Sequence, residues 1–216
     1  MGKLAGKTAL VTGAGRGIGK GIARALAREG ADMLITSRTL EQLQETAAEV
    51  EQLGVRVIIE PGDIGSESDV ERIFARFCDE FDRLDLLVNN AGIYGPKGPI
   101  ETTNWDDWVH AINVNLLGSV LMCRAVVPLM KNQGYGKIIQ LSGGGATNPM
   151  PNLSSYAVAK AGVVRFIETL ALEVAKHNVD VNAIAPGALN TRMLEEVIDS
   201  GPEKIGVFSK KGRCLS

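Results

Sequence analysis

The chain has 216 residues, 45% of them hydrophobic and 22% charged, with a formal net charge of -2. That composition describes one folded domain over residues 1–216, with ample material for a core, and excludes a disordered or fibrous chain. The near-neutral balance gives no electrostatic reason to expect nucleic acid or an anionic membrane as partner.

The N-terminal stretch MGKLAGKTALVTG carries no long apolar leader. Short β-rich runs then alternate with longer helical patterns. Strands are predicted over 8–12, 32–36, 55–60, 85–90, 136–142 and 179–185, and helices over 17–30, 39–53, 66–81, 104–130 and 153–177. The strands are apolar on both faces, as a parallel sheet covered on both sides requires. Ile18, Ile22, Ala25 and Leu26 line one face of the first helix, and Leu40, Leu43, Ala47 and Val50 line the second, behind an N-cap candidate at Thr39. Ser66 and Asp69 have the spacing of a capping box, and Gly30 and Gly54 stand where helix stops belong. The βαβαβ order predicts an α/β fold, a doubly wound, mostly parallel Rossmann-like sheet of about six strands, with ligands bound beyond the carboxyl ends of the strands.

The most apolar run, LLGSVLMCRAVVPLM, is interrupted by Arg124 and Pro128 and reads as too short for a membrane span, which predicts a soluble protein. Cys78, Cys123 and Cys214 form neither metal nor disulfide spacing, which fits a reducing cytoplasm. His110 and His177 read as helix-surface residues, and no metal site is expected.

TGAGRGIG at 12–19 joins the first strand to the first helix. Gly13 permits a tight turn, Gly17 lets a pyrophosphate approach the backbone beside Ile18, Gly19 allows close packing, and the helix N-terminus offers N–H groups to the anion. NAD-binding folds place an acidic residue after the second strand to hold the ribose 2′-hydroxyl. This chain has Ser37 and Arg38 there, and Arg16 inside the glycine turn. Two guanidinium groups suit a 2′-phosphate, so NADP(H) is the preferred cofactor and NAD(H) the other candidate.

In SSYAVAKAG, Tyr156 and Lys160 lie one helical turn apart on one face. A phenol can give a proton to a nascent alkoxide, but its usual pKa near 10 slows the reverse step. An ammonium at roughly 5 Å and an effective dielectric of about 20 favours the phenolate by about 3 kcal/mol, or about two pKa units. The small neighbours Ala157, Ala159, Ala161 and Gly162 let the helix come close to a cofactor and to the sheet.

Taken together in order, the TGxxxGxG turn, Asp63, NNAG at 89–92, Asn115, YxxxK at 156–160 and PGALNT at 186–191 resemble the short-chain dehydrogenase/reductase family, from about Lys7 to about Met193. The overall look is of its 3-oxoacyl-acyl-carrier-protein reductase-like and general alcohol dehydrogenase branch. The resemblance implies an oxidoreductase with Tyr156 as general acid/base, Lys160 beside it, and Asn115 distorting its helix and holding a relay water. It also implies adenine contacts at Asp63 and Ile64, ribose contacts at Asn90, Ala91 and Gly92, nicotinamide contacts at Pro186, Gly187 and Thr191, and a homo-oligomer (dimer or tetramer) paired through the fourth and fifth helices.

Two departures stand out. The family serine falls thirteen residues before the tyrosine, where this chain has Gly143; a bulge in SGGGAT would bring Ser142 back as the anchor of the substrate oxygen. The sequence from 193 to 216 does not resemble the family's seventh strand and VDGG-like loop, and is expected to be an atypical tail that leaves the last strand an edge. The alternative function is therefore an NADP(H)-binding sensor or scaffold with little or no turnover. A serine hydrolase is disfavoured, because Ser142 lies outside any GxSxG. Substrate determinants fall in IYGPKGPIE, ATNPMPN and the residues after Thr191.

Overall fold

The computed structural model describes residues 2–187. Six strands, β1 Thr8–Thr12, β2 Asp32–Thr36, β3 Val57–Ile59, β4 Leu86–Asn89, β5 Gly136–Leu141 and β6 Val179–Ile184, form one sheet in the order β3-β2-β1-β4-β5-β6. All five pairings are parallel, with Thr12 opposite Thr36 and Asn89 opposite Gln140 at the carboxyl ends. The order reverses between β1 and β4, which opens a crevice there for a ligand.

Helices α1 Gly17–Arg28 and α2 Leu40–Glu51 cover one face, where Val11, Ala23, Ile35, Leu43, Val50 and Val88 pack together. Helices α3 Glu67–Glu80, α5 Gly118–Gln133 and α6 Ser154–Val174 cover the other, around Leu10, Phe77, Leu87, Met122, Ile138 and Leu170. Burial of both faces of β1, β2 and β4 follows from their continuous apolar runs. The predicted strands and helices are all present, shorter by one to three residues at several ends, where pairing and caps rather than composition set the limit.

Ser66 caps α3 by accepting the Asp69 N–H (3.3 Å), but Asp69 turns its own carboxylate to the Asp63 N–H (2.8 Å), so the box closes on one side only. Thr39 makes no side-chain cap at α2. The helix predicted over 104–130 runs on to Gln133 and carries a π-helical turn at Asn113–Leu117 between α4 (Trp105–Ile112) and α5. Neither Arg124 nor Pro128 ends it. At 29 residues and a mean hydropathy of 1.6 in its most apolar window, this helix is long and apolar enough to cross a membrane, so the expected shortness is corrected. Val114, Met122, Cys123, Val126 and Met130 nevertheless face the sheet, as a core helix requires.

β6 is one of the two edge strands among the described residues, opposite β3, with Val179 and Val181 packed inward and Asp180 and Asn182 exposed. Thr191, Cys214 and the tail 193–216 lie outside the described residues.

Candidate active site

The glycine turn is shaped by what lies against it. Gly13 and Gly17 take positive φ (65° and 54°), a region costly for other residues. A Cβ at Gly13 would fall 2.7 Å from Ala91 Cα and 2.8 Å from Asn90 Nδ2, and one at Gly19 would overlap the Gly13 carbonyl. The side chain of Asn90 donates to the Thr12 and Gly13 carbonyls (2.9 and 3.1 Å), and Thr12 Oγ1 accepts from the Asn90 and Ala91 N–H groups (3.0 and 3.1 Å). Thr46 on α2 sets its hydroxyl 3.1 Å from the Ala14 carbonyl and 3.3 Å from that of Gly15. Thr46 is a functional support that sequence reading missed, since a lone threonine carries no motif, while Thr12, which opens the TGxxxGxG run, gains its role only from Asn90 and Ala91 far along the chain. Arg16 precedes α1 without a side-chain cap, so the helix start presents its dipole and N–H groups to an anion.

Ser37 stands beside this turn, for a Cβ at Gly15 would come 2.7 Å from Ser37 Oγ. Arg38 lies 4.0 Å from the Asp63 carboxylate and keeps more than half its side chain exposed. Asp63 also accepts the Gly65 N–H (2.9 Å), and buried Ile64 seats against Gly118 at the start of α5. These residues follow β2 and β3, at one end of the crevice.

The other end gathers Gly92, Asn115, Tyr156 and Lys160. A Cβ at Gly92 would lie 2.7 Å from Asn115 Oδ1 and 3.7 Å from Lys160 Nζ. Asn115 donates to the Ile93 and Ala111 carbonyls (2.7 and 2.9 Å) and accepts the Ile93 N–H (2.9 Å). Asn115 lies inside the π turn, and its side chain reaches back one turn to the Ala111 carbonyl. Lys160 and Tyr156 both face inward, with 4% and 8% of their surface exposed. The lysine donates to the Leu141 carbonyl (2.9 Å), and its Nζ stands 5.7 Å from the tyrosine ring centre. Pro186 is half-buried and Gly187 exposed after β6.

Burial raises the Tyr156 phenol above its ordinary pKa, and the neighbouring Tyr94 raises it further. Burial lowers Lys160 to about 8. The expected depression of the phenol is therefore corrected for this site: both groups have lost hydration, and that outweighs their mutual attraction.

Ser142 departs from expectation too. Its N–H continues the β5–β6 ladder to the Ile184 carbonyl (2.8 Å), and Gly143 is fully extended (φ -178°, ψ 175°), so no bulge turns the chain. Extended residues alternate sides. Gly143 faces the phenol, where a Cβ would overlap Tyr156 Oη, and the buried Ser142 hydroxyl has no hydrogen-bond partner.

Residues at the carboxyl ends of the strands, the start of α1, the π turn and α6 thus converge on one crevice that offers a glycine turn and a helix N-terminus to an anionic ligand and whose far end holds a buried phenol and amine. The arrangement fits a nicotinamide dinucleotide, and the class it defines is a dinucleotide-dependent oxidoreductase. A family profile described as short chain dehydrogenase matches residues 7–201, and the chain belongs to that family. Dehydrogenase/reductase SDR family member 4 of Sus scrofa is 37% identical over 188 residues, covering 87% of this chain and 67% of that protein. A crystal structure of a metagenomic short-chain oxidoreductase in complex with NADP has a TM-score of 0.82 and 34% identity, over 86% of this chain and 84% of the other. One of NAD+-bound xylitol dehydrogenase has a TM-score of 0.87 and 31% identity, over 94% and 83%. This chain is accordingly an NAD(P)-dependent short-chain dehydrogenase/reductase.

Proposed function

We propose that the protein interconverts a ketone and a secondary alcohol with NADP(H), using Tyr156 as general acid/base. The observation that carries this reading is the inward pairing of Tyr156 with Lys160, one helical turn apart, at the end of the crevice where Gly92 packs on Asn115 and Gly143 on the phenol. The bound dinucleotide would supply the hydride. Tyr156, its pKa raised, is held as a proton donor, which suits protonation of a carbonyl oxygen during reduction. Lys160 is fixed by the Leu141 carbonyl at the ring and favours the phenolate when the reaction runs toward oxidation. Asn115 acts by holding Ile93 rather than by touching substrate.

Gly13, Gly17, Ile18 and Gly19 would hold the pyrophosphate, and Asn90, Ala91, Gly92, Tyr156 and Lys160 the nicotinamide riboside, with Pro186 and Gly187 close by in sequence after β6. Asp63 and Ile64 would flank the adenine. Ser37, Arg38 and Arg16 support a 2′-phosphate and hence NADP(H), because no carboxylate follows β2 to hold a free 2′-hydroxyl. Leu117 and Leu172 are 45% and 83% exposed on the helices that would pair across a two-fold, which supports a homo-oligomer.

The test is NADPH oxidation against a panel of ketones and aldehydes, with Tyr156→Phe as control. Turnover that Tyr156→Phe lowers at least a hundredfold, with NADPH still bound, is expected. NADPH binding without consumption across the panel would overturn the catalytic reading in favour of a sensor or scaffold.

A further inference from the structure

A carbonyl oxygen that becomes an alkoxide in a dry site is held best by two donors: one that gives it a proton and one that keeps its own. Gly143 faces the Tyr156 phenol but has no side chain to offer, and Ser142 lies on the other side of the strand. A second phenol does stand there. The Tyr94 ring packs on Tyr156 with centroids 4.7 Å apart and planes tilted by 47°.

The chain on both sides of Tyr94 is pinned. Ile93 is gripped through its N–H and its carbonyl by Asn115. Gly95, at φ 72°, is pressed so tightly onto α4 and α6 that a Cβ would come 2.5 Å from Ala111 Cβ and 2.8 Å from Ser155 Oγ. Two fixed neighbours leave the intervening ring little freedom, which is what a positioned hydrogen-bond donor needs. The ring is half-buried, and burial raises its phenol above the ordinary value, so it stays protonated through the neutral range.

We propose that Tyr94 is a second catalytic tyrosine, whose hydroxyl donates to the substrate oxygen beside Tyr156. This rests on the carbonyl–alcohol chemistry proposed above. During reduction the hydride adds to carbon, the proton comes from Tyr156, and Tyr94 keeps its own.

The experiment compares Tyr94→Phe, Tyr94→Leu and Tyr156→Phe with the unsubstituted protein, using NADPH and the ketone of the panel that it reduces fastest. NADPH affinity, read by fluorescence titration, shows that each variant is folded. Tyr94→Phe is expected to lower kcat/KM at least fivefold, with NADPH affinity within about twofold and Tyr94→Leu no more than about threefold worse. That pattern places the effect in the hydroxyl rather than in the ring as a wall. A Tyr94→Phe enzyme within fivefold of the unsubstituted one overturns the proposal, as does a loss confined to Tyr94→Leu. A Tyr156→Phe enzyme that stays active, or an unsubstituted protein that reduces no ketone, instead overturns the reaction itself.

Discussion

Asn115 holds Ile93 by both of its backbone groups: Nδ2 donates to the carbonyl (2.7 Å) and Oδ1 accepts the N–H (2.9 Å). The π turn at Asn113–Leu117 thereby anchors the segment that follows β4. Asn115→Ala leaves those two groups without their partner. At about 1–2 kcal/mol for each group left unpaired, since Ile93 is only half-buried, the expected loss is about 2–4 kcal/mol. A melting temperature lower by roughly 5–15 °C would follow, with reduced turnover, and calorimetry beside steady-state kinetics checks both.

Lys160 gives the fold a pH signature. Its pKa falls from an ordinary 10.5 to about 8 through burial, so the folded state binds the proton less tightly than the unfolded one. Its favourable share of stability is complete above the unfolded value and is lost as pH falls toward the folded one. From pH 8 to 10 the protein should therefore gain about 2 kcal/mol from this residue. Lys160→Met removes that rise and abolishes turnover; urea unfolding at several pH values measures it.

Ser142 and Gly143 should exchange the roles that their residue types suggest. Ser142→Ala is expected to leave turnover within about threefold, because its hydroxyl has no partner and lies away from the phenol. Gly143→Ala should lower turnover at least tenfold, because the added methyl displaces the Tyr156 oxygen. Steady-state rates on one ketone decide both.

Arg38 is more than half exposed and only loosely engaged with Asp63 at 4.0 Å, so it is free to turn toward a ligand. Arg38→Leu should lower the ratio of kcat/KM for NADPH over NADH at least tenfold while changing stability by less than about 0.5 kcal/mol.

Asp85 works at the opposite end of the sheet. Its carboxylate, buried completely, accepts from Arg83 (2.6 Å), Lys7 (3.0 Å) and the Thr8 N–H (3.0 Å). Burial raises its pKa, but the Arg83, Thr8 and Lys7 donors outweigh that and hold the carboxyl below its ordinary 3.8. Its stabilising share is present above 3.8 and lost as pH falls below that value through the folded pKa. Asp85→Asn should cost about 2–3 kcal/mol by thermal unfolding at pH 7, less than a pair buried on both sides because both cations reach water. Activity at 25 °C should be unchanged.

Much of this was legible in the chain. Strand and helix types follow from local periodicity, and the β1–glycine turn–α1 passage follows from residues adjacent in sequence. Tyr156 and Lys160 share a face because four positions make about one helical turn. The resemblance placed a helix distortion at Asn115, but not its form as a π turn or its hold on Ile93, since α and π turns accept the same residue types and Ile93 lies across the packing interface. Ser142 escaped because one extended glycine, rather than its chemistry, decides which way it points.

By itself, then, the sequence determined a parallel α/β sheet, a phosphate-ready glycine turn, and a phenol with an amine one turn away, all properties of neighbours along the chain. Tertiary structure alone decided that Tyr94 meets Tyr156, that Asn115 clamps Ile93, and that the shared burial of Tyr156 and Lys160 outweighs their attraction. Those outcomes depend on distance and dehydration between segments far apart in the chain, and neither quantity exists until the helices close over the sheet.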